Sequence, residues 1–406
     1  MPSTLPSGQP PPRDGSLPFA ALRTLQRQPF GIYVHVPFCS SRCGYCDFNT
    51  YTATELGGGA SQRGYADTAL AEIRLARHVL GDRTPPVTTV FFGGGTPTLL
   101  PSQHLAALLG EIDDTFGLAP GAEVTTEANP ETVTPAYLSR LREAGFNRVS
   151  LGMQSAREHV LAVLERQHTP GRAVEAVLDA RDAGFAHVNL DLIYGTPGET
   201  EQDWQASLDT AVSARPDHIS AYALIVEEGT KLARQVARGD IPRPDDDLMA
   251  DRYAQADQAL TAAGMSWYEL SNWSRSRSSR CRHNELYWTC GNWWGVGPGA
   301  HSHIGGVRWW NVKHPTAYAR RLESGVSPAH GREELTETAR RMERIMLGIR
   351  LSDGLPLTEL SVEAKDAARR AVTYGLLDRR AHVDGRAVLT LRGRLLADAV
   401  SRDLVD

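Results

Sequence analysis

From about residue 28 onward, short runs rich in β-branched and aromatic residues alternate with longer stretches whose apolar positions recur every third or fourth residue. Side chains alternate across a strand but return to one face of a helix, so this double rhythm predicts repeated strand–helix units around a parallel sheet. The strands fall at Ile32 to Phe38, Val87 to Phe92, Glu123 to Thr126, Arg148 to Met153, Val188 to Tyr194 and Ile219 to Val226, with a further one at Trp267 to Leu270. Three helices close alike, at Glu143-Ala144-Gly145-Phe146, Asp182-Ala183-Gly184-Phe185 and Ala262-Ala263-Gly264-Met265, each with a glycine just before a strand. A helix that must leave through positive φ favours glycine there. These glycines are 39 and then 80 residues apart, one and two units of equal length, and Arg215-Pro216 could supply the helix end between them. Six such units predict an α/β fold, a partial TIM-like (β/α)6 barrel over 28–275, with its chemistry at the C-terminal ends of the strands.

Outside that stretch the pattern changes. Residues 1–27 are rich in Pro, Ser and Gly, with Pro10, Pro11 and Pro12 in succession, and hold too few large apolar groups to order themselves; a disordered tail is expected. After residue 275 an Arg/Ser-rich stretch gives way to aromatic and Gly-rich sequence, which reads as a separate functional segment and linker, 276–330. Over 331–406 the order is a long amphipathic helix from Glu334, a second helix from Val362 to Tyr374, a hairpin turning at Asp384-Gly385 and a last helix from Gly393. That smaller α+β domain resembles a winged helix. Its near balance of acidic and basic residues favours packing or protein contact over nucleic-acid binding.

Composition narrows the class further. A formal net charge of -5 and a pI near 6.2 lack the basic excess of a nucleic-acid or anionic-membrane binder. No apolar run approaches the roughly 20 residues that cross a bilayer, and the N-terminus has no basic region followed by a hydrophobic stretch, so a cytoplasmic protein is expected. Five cysteines, three of them within eight residues, do not form a disulfide framework and suit metal or cluster ligation in a reducing compartment.

Those three close a loop directly after the first strand: His35-Val36-Pro37-Phe38-Cys39-Ser40-Ser41-Arg42-Cys43-Gly44-Tyr45-Cys46. A strand would scatter three thiolates to opposite faces, whereas a loop wrapped around a cofactor can converge them. Iron–sulfur clusters normally take four protein thiolates, so three with none nearby imply an iron open to an exogenous ligand. A Cys3His zinc site using His35 is the alternative, although zinc loops favour paired C-x2-C hairpins.

Cys39-x3-Cys43-x-Tyr45-Cys46 resembles the radical S-adenosylmethionine (SAM) signature, in which SAM chelates the open iron of a [4Fe-4S] cluster and one-electron reduction yields a 5′-deoxyadenosyl radical. With Tyr33-Val34-His35-Val36-Pro37-Phe38-Cys39 and Gly93-Gly94-Gly95-Thr96-Pro97-Thr98 added, the chain from about residue 28 to its end resembles the oxygen-independent coproporphyrinogen III oxidases and their relatives, the HemW heme chaperones. The resemblance implies cluster ligation by Cys39, Cys43 and Cys46, SAM contacts from Tyr33 and Tyr45, and an electron donor. It assigns Gly94, Gly95 and Thr96 to the methionine end of SAM, where backbone without side chains can lie against a small ligand. It also assigns SAM contacts to Glu127, Gln154, Arg166 and Asp191. Read on their own, Glu127 could be a solvated strand end and Arg166 an exposed helical residue. Asp191 inside an apolar strand is costly unless paired, which points independently to a role.

Two features separate the subfamilies. The oxidases carry a fourth cysteine two residues after the third, and here that position is Phe48. Cys281-Arg282-His283-Asn284-Glu285-Leu286-Tyr287-Trp288 resembles the His-Asn-x-x-Tyr-Trp motif associated with heme binding in the HemW proteins. A neutral imidazole can ligate heme iron, Tyr287 and Trp288 could pack on the macrocycle, and Arg275, Arg277, Arg280 and Arg282 could pair with propionates or form a solvated loop. A structural hydrogen-bonding role is the alternative for His283; Cys281 is a second candidate axial ligand, His301 and His303 are weaker ones, and Cys290 has no assigned role. The implied function is a heme chaperone that holds a SAM-ligated cluster and delivers heme to apo-hemoproteins such as respiratory enzymes. The alternative is an oxidase that decarboxylates coproporphyrinogen III.

Overall fold

The computed structural model describes residues 5–56, 62–82, 84–166 and 168–405. Six strands, β1 (Phe30–Val36), β2 (Val87–Gly94), β3 (Leu118–Ala128), β4 (Arg148–Gln154), β5 (His187–Tyr194) and β6 (His218–Ala223), pair in parallel and in sequence order. Helices between them cover the outside, among them Ser102–Phe116, Pro135–Glu143, Arg172–Asp182 and Glu201–Ser213. The strands read as apolar because they are buried on both faces: every residue of β4 is buried. Local chemistry sets the helix starts, as where Thr134 accepts from the Tyr137 N–H and where Thr200 and Asp203 form a reciprocal capping box. The repeated helix exit is also present, with Gly145, Gly184 and Gly264 at φ 110, 89 and 79, and Arg215 takes the same left-handed turn at φ 52.

The barrel is open. β1 and β6 do not pair with each other, and the sheet continues past both, in the order β12-β11-β10-β9-β1-β2-β3-β4-β5-β6-β8-β7. β7 (Ser266–Glu269) and β8 (Asn272–Ser274) form an antiparallel pair beside β6. β9 (Asn292–Val296) runs parallel to β1, and β10 (His301–Ile304), β11 (Val307–Asn311) and β12 (Ala329–Glu334) follow in antiparallel order. The stretch 276–330 is therefore not set apart from the barrel as expected: its strands β9, β10 and β11 and the start of β12 extend the same sheet.

Residues 9–27 also differ from expectation. Gln9 exchanges backbone hydrogen bonds with Arg332 of β12 at 2.8 and 2.9 Å, and Ala21 and Leu25 are buried in the main core. The segment has too little apolar surface to order itself, but a partner strand and two well-placed apolar side chains order it.

Beyond β12, the helices Glu337–Gly348, Val362–Thr373 and Ala397–Leu404 enclose a second core of Ile345, Ile349, Leu355, Leu377, Leu389 and Val400. The turn at Asp384-Gly385 is present, but a helical turn, Arg379–Val383, replaces the first arm of the expected hairpin because Asp378 caps it through the Ala381 N–H. The returning strand β14 (Arg386–Ala387) pairs instead with β13 (Leu355–Pro356).

Candidate functional site

The cysteine loop leaves the C-terminal end of β1, and Cys39, Cys43 and Cys46 line one cavity of about 1470 Å³ with Tyr45, Gly94, Gly95, Thr96, Glu127, Gln154, Arg166 and Asp191. Eleven side chains and glycines from six separate stretches of sequence are thus brought together at the ends of β1 to β5. Phe48, 48 % exposed, stands at the same cavity.

Burial, with the neighbouring thiols, pushes the Cys39 thiol up to about 11 and the Cys46 thiol in the same direction. Arg166 offers Nη1 to Cys43 Sγ at 3.5 Å. It does not sit on a helix as expected but in the loop after Glu158–Val163, past the left-handed Glu165 at φ 54. A Cβ on Gly95 would collide with the Phe38 carbonyl and lie 3.0 Å from Cys39 Sγ, so only glycine lets this backbone approach the loop so closely. Gln154 ends β4 at φ 65, an uncommon conformation for a side-chain-bearing residue and a frequent mark of functional sites.

Two carboxyls share the wall. Glu127 accepts the Gly94 N–H at 3.0 Å, and burial plus neighbouring Asp191 push its carboxyl up to about 8. Asp191 is paired as its apolar strand requires, by Ser150 Oγ and Asn189 Nδ2, both at 2.8 Å, yet burial still raises it above the usual carboxylate range. Two buried carboxyls whose proton affinity is raised even with Arg166 on the same wall fit a cationic ligand such as the ammonium and sulfonium of SAM. The donor set fits a cluster better than zinc. His35 is buried with both ring nitrogens engaged, by Tyr33 OH at 3.0 Å and the Asn49 carbonyl at 2.9 Å, so it does not complete a Cys3His set. Among the described residues no three His, Cys, Asp or Glu side chains are grouped to hold a single ion.

The His-Asn-x-x-Tyr-Trp motif lies at the opposite end of the barrel. It forms the helix Arg282–Trp288, packed over the starts of β1 and β2, where a Cβ on Gly31 would come within 2.7 Å of Leu286 and 3.3 Å of the His283 ring. The carboxylate of Glu123 holds this helix in place, accepting the backbone N–H groups of Arg282 and His283 at 3.0 Å each and the Cys281 thiol at 3.6 Å. Between the helix and the cysteine-lined cavity lies an inner chamber of about 320 Å³, walled by His283, Asn284 and Tyr287 of the motif with Tyr33, Phe91, Arg148, Trp293 and His301. Glu127, Ser150, Asp191 and Tyr222 line both spaces.

Several expectations change here. Tyr33 lies in the inner chamber, stacked on Phe91 at 6.3 Å and His283 at 6.4 Å; of the other expected SAM contacts it shares that space with Glu127 and Asp191. His283 is 1 % exposed and has no spare nitrogen: Nδ1 shares a hydrogen bond with Thr89 Oγ1 at 2.8 Å and Nε2 with Tyr287 OH at 2.9 Å. Cys281 is buried, and burial first and Glu123 second push its thiol well up, which disfavours the thiolate an iron would need. Trp288 lines neither space. The four arginines are tied down elsewhere, Arg275 to the carbonyls of Pro216 and Ala263, Arg277 and Arg280 to Asp353, and Arg282 to the Gly121 carbonyl.

Sequence reasoning missed the residues that join the two ends. Asn189 contacts Ser150 and His218, both at 2.5 Å, and His218 reaches Tyr268 OH at 2.8 Å, which meets the Cys281 N–H at 3.3 Å. Polar residues inside apolar strands, Asn189 two places from Asp191 above all, were the available signal.

The comparisons agree with this architecture. Residues 33–211 match the model of the Radical SAM superfamily. A Mycobacterium tuberculosis protein (strain H37Rv) named heme chaperone HemW is 52% identical over 393 residues, 97% of this chain and 99% of the relative. A Synechocystis protein of the same name is 35% identical over 353 residues, covering 85% of this chain and 84% of the relative. The solved structure of Escherichia coli coproporphyrinogen III oxidase superposes with a TM-score of 0.80 at 22% identity, covering 97% of this chain and 94% of that one, a likeness of fold.

Proposed function

The chain belongs to the HemW family of the radical SAM superfamily, and from that premise we propose that it binds heme beside a SAM-ligated [4Fe-4S] cluster and passes the heme to apo-hemoproteins such as respiratory enzymes. The observation that carries the proposal is the shared wall: Glu127, Ser150, Asp191 and Tyr222 line both the chamber faced by His283, Asn284 and Tyr287 and the cavity faced by the three cysteines.

In this reading Cys39, Cys43 and Cys46 hold the cluster, and Tyr45, Gly94, Gly95, Thr96, Glu127, Gln154, Arg166 and Asp191 surround SAM. When bound, the pair would supply one-electron chemistry, with the electron coming from an external donor. Glu127 and Asp191 would meet the cationic end of SAM and Arg166 its carboxylate, and Gly95 lets the backbone pass close to Phe38 and Cys39. Tyr33, Phe91 and Tyr287 give the inner chamber flat aromatic walls suited to a porphyrin. Phe48 stands where the oxidases have a cysteine and cannot act as a thiol.

The test runs two assays on one anaerobically reconstituted preparation, heme titration and turnover of coproporphyrinogen III with SAM and reductant. Heme binding without decarboxylation is expected. Robust decarboxylation would replace the carrier with the enzyme.

A further inference from the structure

Four histidines stand in or beside the inner chamber, and they differ in what their nitrogens do: His218 has both engaged, by Asn189 Oδ1 at 2.5 Å and Tyr268 OH at 2.8 Å. His283 has both engaged, as described. His303 is 7 % exposed and also has both engaged, Nδ1 with the Gly291 carbonyl at 2.7 Å and Nε2 with the Gly306 N–H at 3.1 Å. His301 lines the chamber, and its Nε2 is buried with no hydrogen-bond partner.

The register explains how His301 gets there. Tyr33 pairs with Gly295 across β1 and β9, and the antiparallel pairing of His303 with Trp293 brings His301 opposite Gly295, two strands from Tyr33. A Cβ on Gly295 would collide with the His301 carbonyl, which also accepts the Trp293 Nε1–H at 3.0 Å, and the imidazole stacks on Trp310 at 5.9 Å. The ring is therefore held in position, yet one nitrogen is unused. Burial, above all, keeps this imidazole down to about 4, so near neutral pH it is uncharged and one ring nitrogen carries a lone pair.

The same chamber contains an unused anion donor. Arg148 is 1 % exposed, gives Nη1 to the Ser279 carbonyl at 2.8 Å, and leaves Nη2 without a partner; Thr125 Oγ1, also on the wall, is unpartnered too. Buried polar atoms are seldom left unsatisfied in folded proteins, so several around one space point to a ligand that satisfies them. A ligand carrying both a metal for the imidazole and a carboxylate for the guanidinium has the chemistry of heme.

Resting on the heme-binding reading above, we infer that His301, rather than His283, supplies an iron ligand, with the porphyrin in the inner chamber and a propionate toward Arg148. His283 then orients the wall through Thr89 and Tyr287. The chamber alone is small for a porphyrin, so in this placement the ring extends toward Glu127, Ser150, Asp191 and Tyr222, which line both spaces.

The test titrates ferric heme into the reconstituted full chain and follows the Soret band for wild type, His301→Ala and His283→Ala, with cluster iron content and circular dichroism as controls on folding. In the expected result, His301→Ala shifts the band and weakens binding at least about tenfold, added 1-methylimidazole restores the wild-type band, and His283→Ala keeps the band position whatever happens to its affinity. If His301→Ala does not fold, His301→Met preserves bulk while exchanging nitrogen for sulfur, and must move the band. A wild-type spectrum in both His301 variants, with the band lost in His283→Ala, overturns the assignment. No heme binding by wild type overturns the heme-carrier reading itself, and is recognised because every variant then behaves alike.

Discussion

Replacing Glu127 with Gln tests whether the cysteine-lined cavity is built for a cation. Without a ligand, burial and neighbouring Asp191 push this carboxyl up to about 8, against a single stabilising N–H from Gly94 at 3.0 Å. At pH 7 only about one carboxyl in ten is then ionised, and a cation that needs the carboxylate binds about tenfold more weakly than it does well above pH 8. Each further unit of acidity costs another factor of about ten, or ~1.4 kcal/mol. Binding at pH 7 must therefore expel close to one proton from Glu127, falling to roughly half a proton at pH 8. Isothermal titration of SAM in buffers of different ionisation enthalpy counts the protons. SAM's own amino group titrates with both proteins, so the difference between wild type and Glu127→Gln isolates the carboxyl. A difference of about 0.9 proton at pH 7 is expected, with a flatter affinity profile in the variant. Equal proton counts and equal profiles would refute a role for Glu127 in meeting the cation.

Other outcomes follow from the packing. Gly95→Ala should lower iron and sulfide per chain after reconstitution, because the new methyl displaces Phe38 and Cys39; unchanged cluster content would contradict the close approach. Gly31→Val should push the motif helix off β1 through Leu286 and His283, weakening heme binding while cluster content stays intact, and overpacking there should cost about 1–3 kcal/mol. Arg394 joins the C-terminal unit to the barrel by paired 2.8 Å bonds to Asp257, with its guanidinium 4.5 Å over Trp267. Arg394→Ala should destabilise by about 3–5 kcal/mol in denaturant unfolding, and Arg394→Met with Asp257→Leu by much less. Burial would raise the Asp257 carboxyl, but bonds from Arg394 and Trp273 prevail and hold it low. Its contribution is thus present above the ordinary carboxylate pKa and lost as the pH falls through the lower folded value, a loss that should disappear in the double variant.

What the sequence disclosed depended on how local the cause was. β2, β4 and β5 were legible because runs such as Val188 to Tyr194 are buried on both faces, and the cysteine loop because its three ligands sit within eight residues. Asp191 announced itself by its cost inside such a run. β9 to β12 were hidden because their Trp-, His- and Gly-rich residues become strands only by pairing along the edge of β1. Residues 9–27 were hidden for the same reason, since their order comes from Arg332, more than 300 residues away, and from packing on the main core. Motif spacing does not carry height: Tyr33 lies three residues before the end of β1, about 10 Å at the rise of a strand, and so faces the inner chamber with Glu127 and Asp191. The motif helix was recognisable by its residues, but its position at the far end of the barrel depends on Glu123, a lone carboxylate on a different strand.

Heme transfer puts the carrier role to the most direct trial. The reconstituted, SAM-containing chain is loaded with ferric heme, freed of excess, mixed with the apo form of a heme-dependent respiratory enzyme, and followed by the Soret band and the recipient's activity. Heme leaving the chain as the recipient becomes active is the expected result. Heme that never binds or never leaves, in a preparation that decarboxylates coproporphyrinogen III, would contradict it.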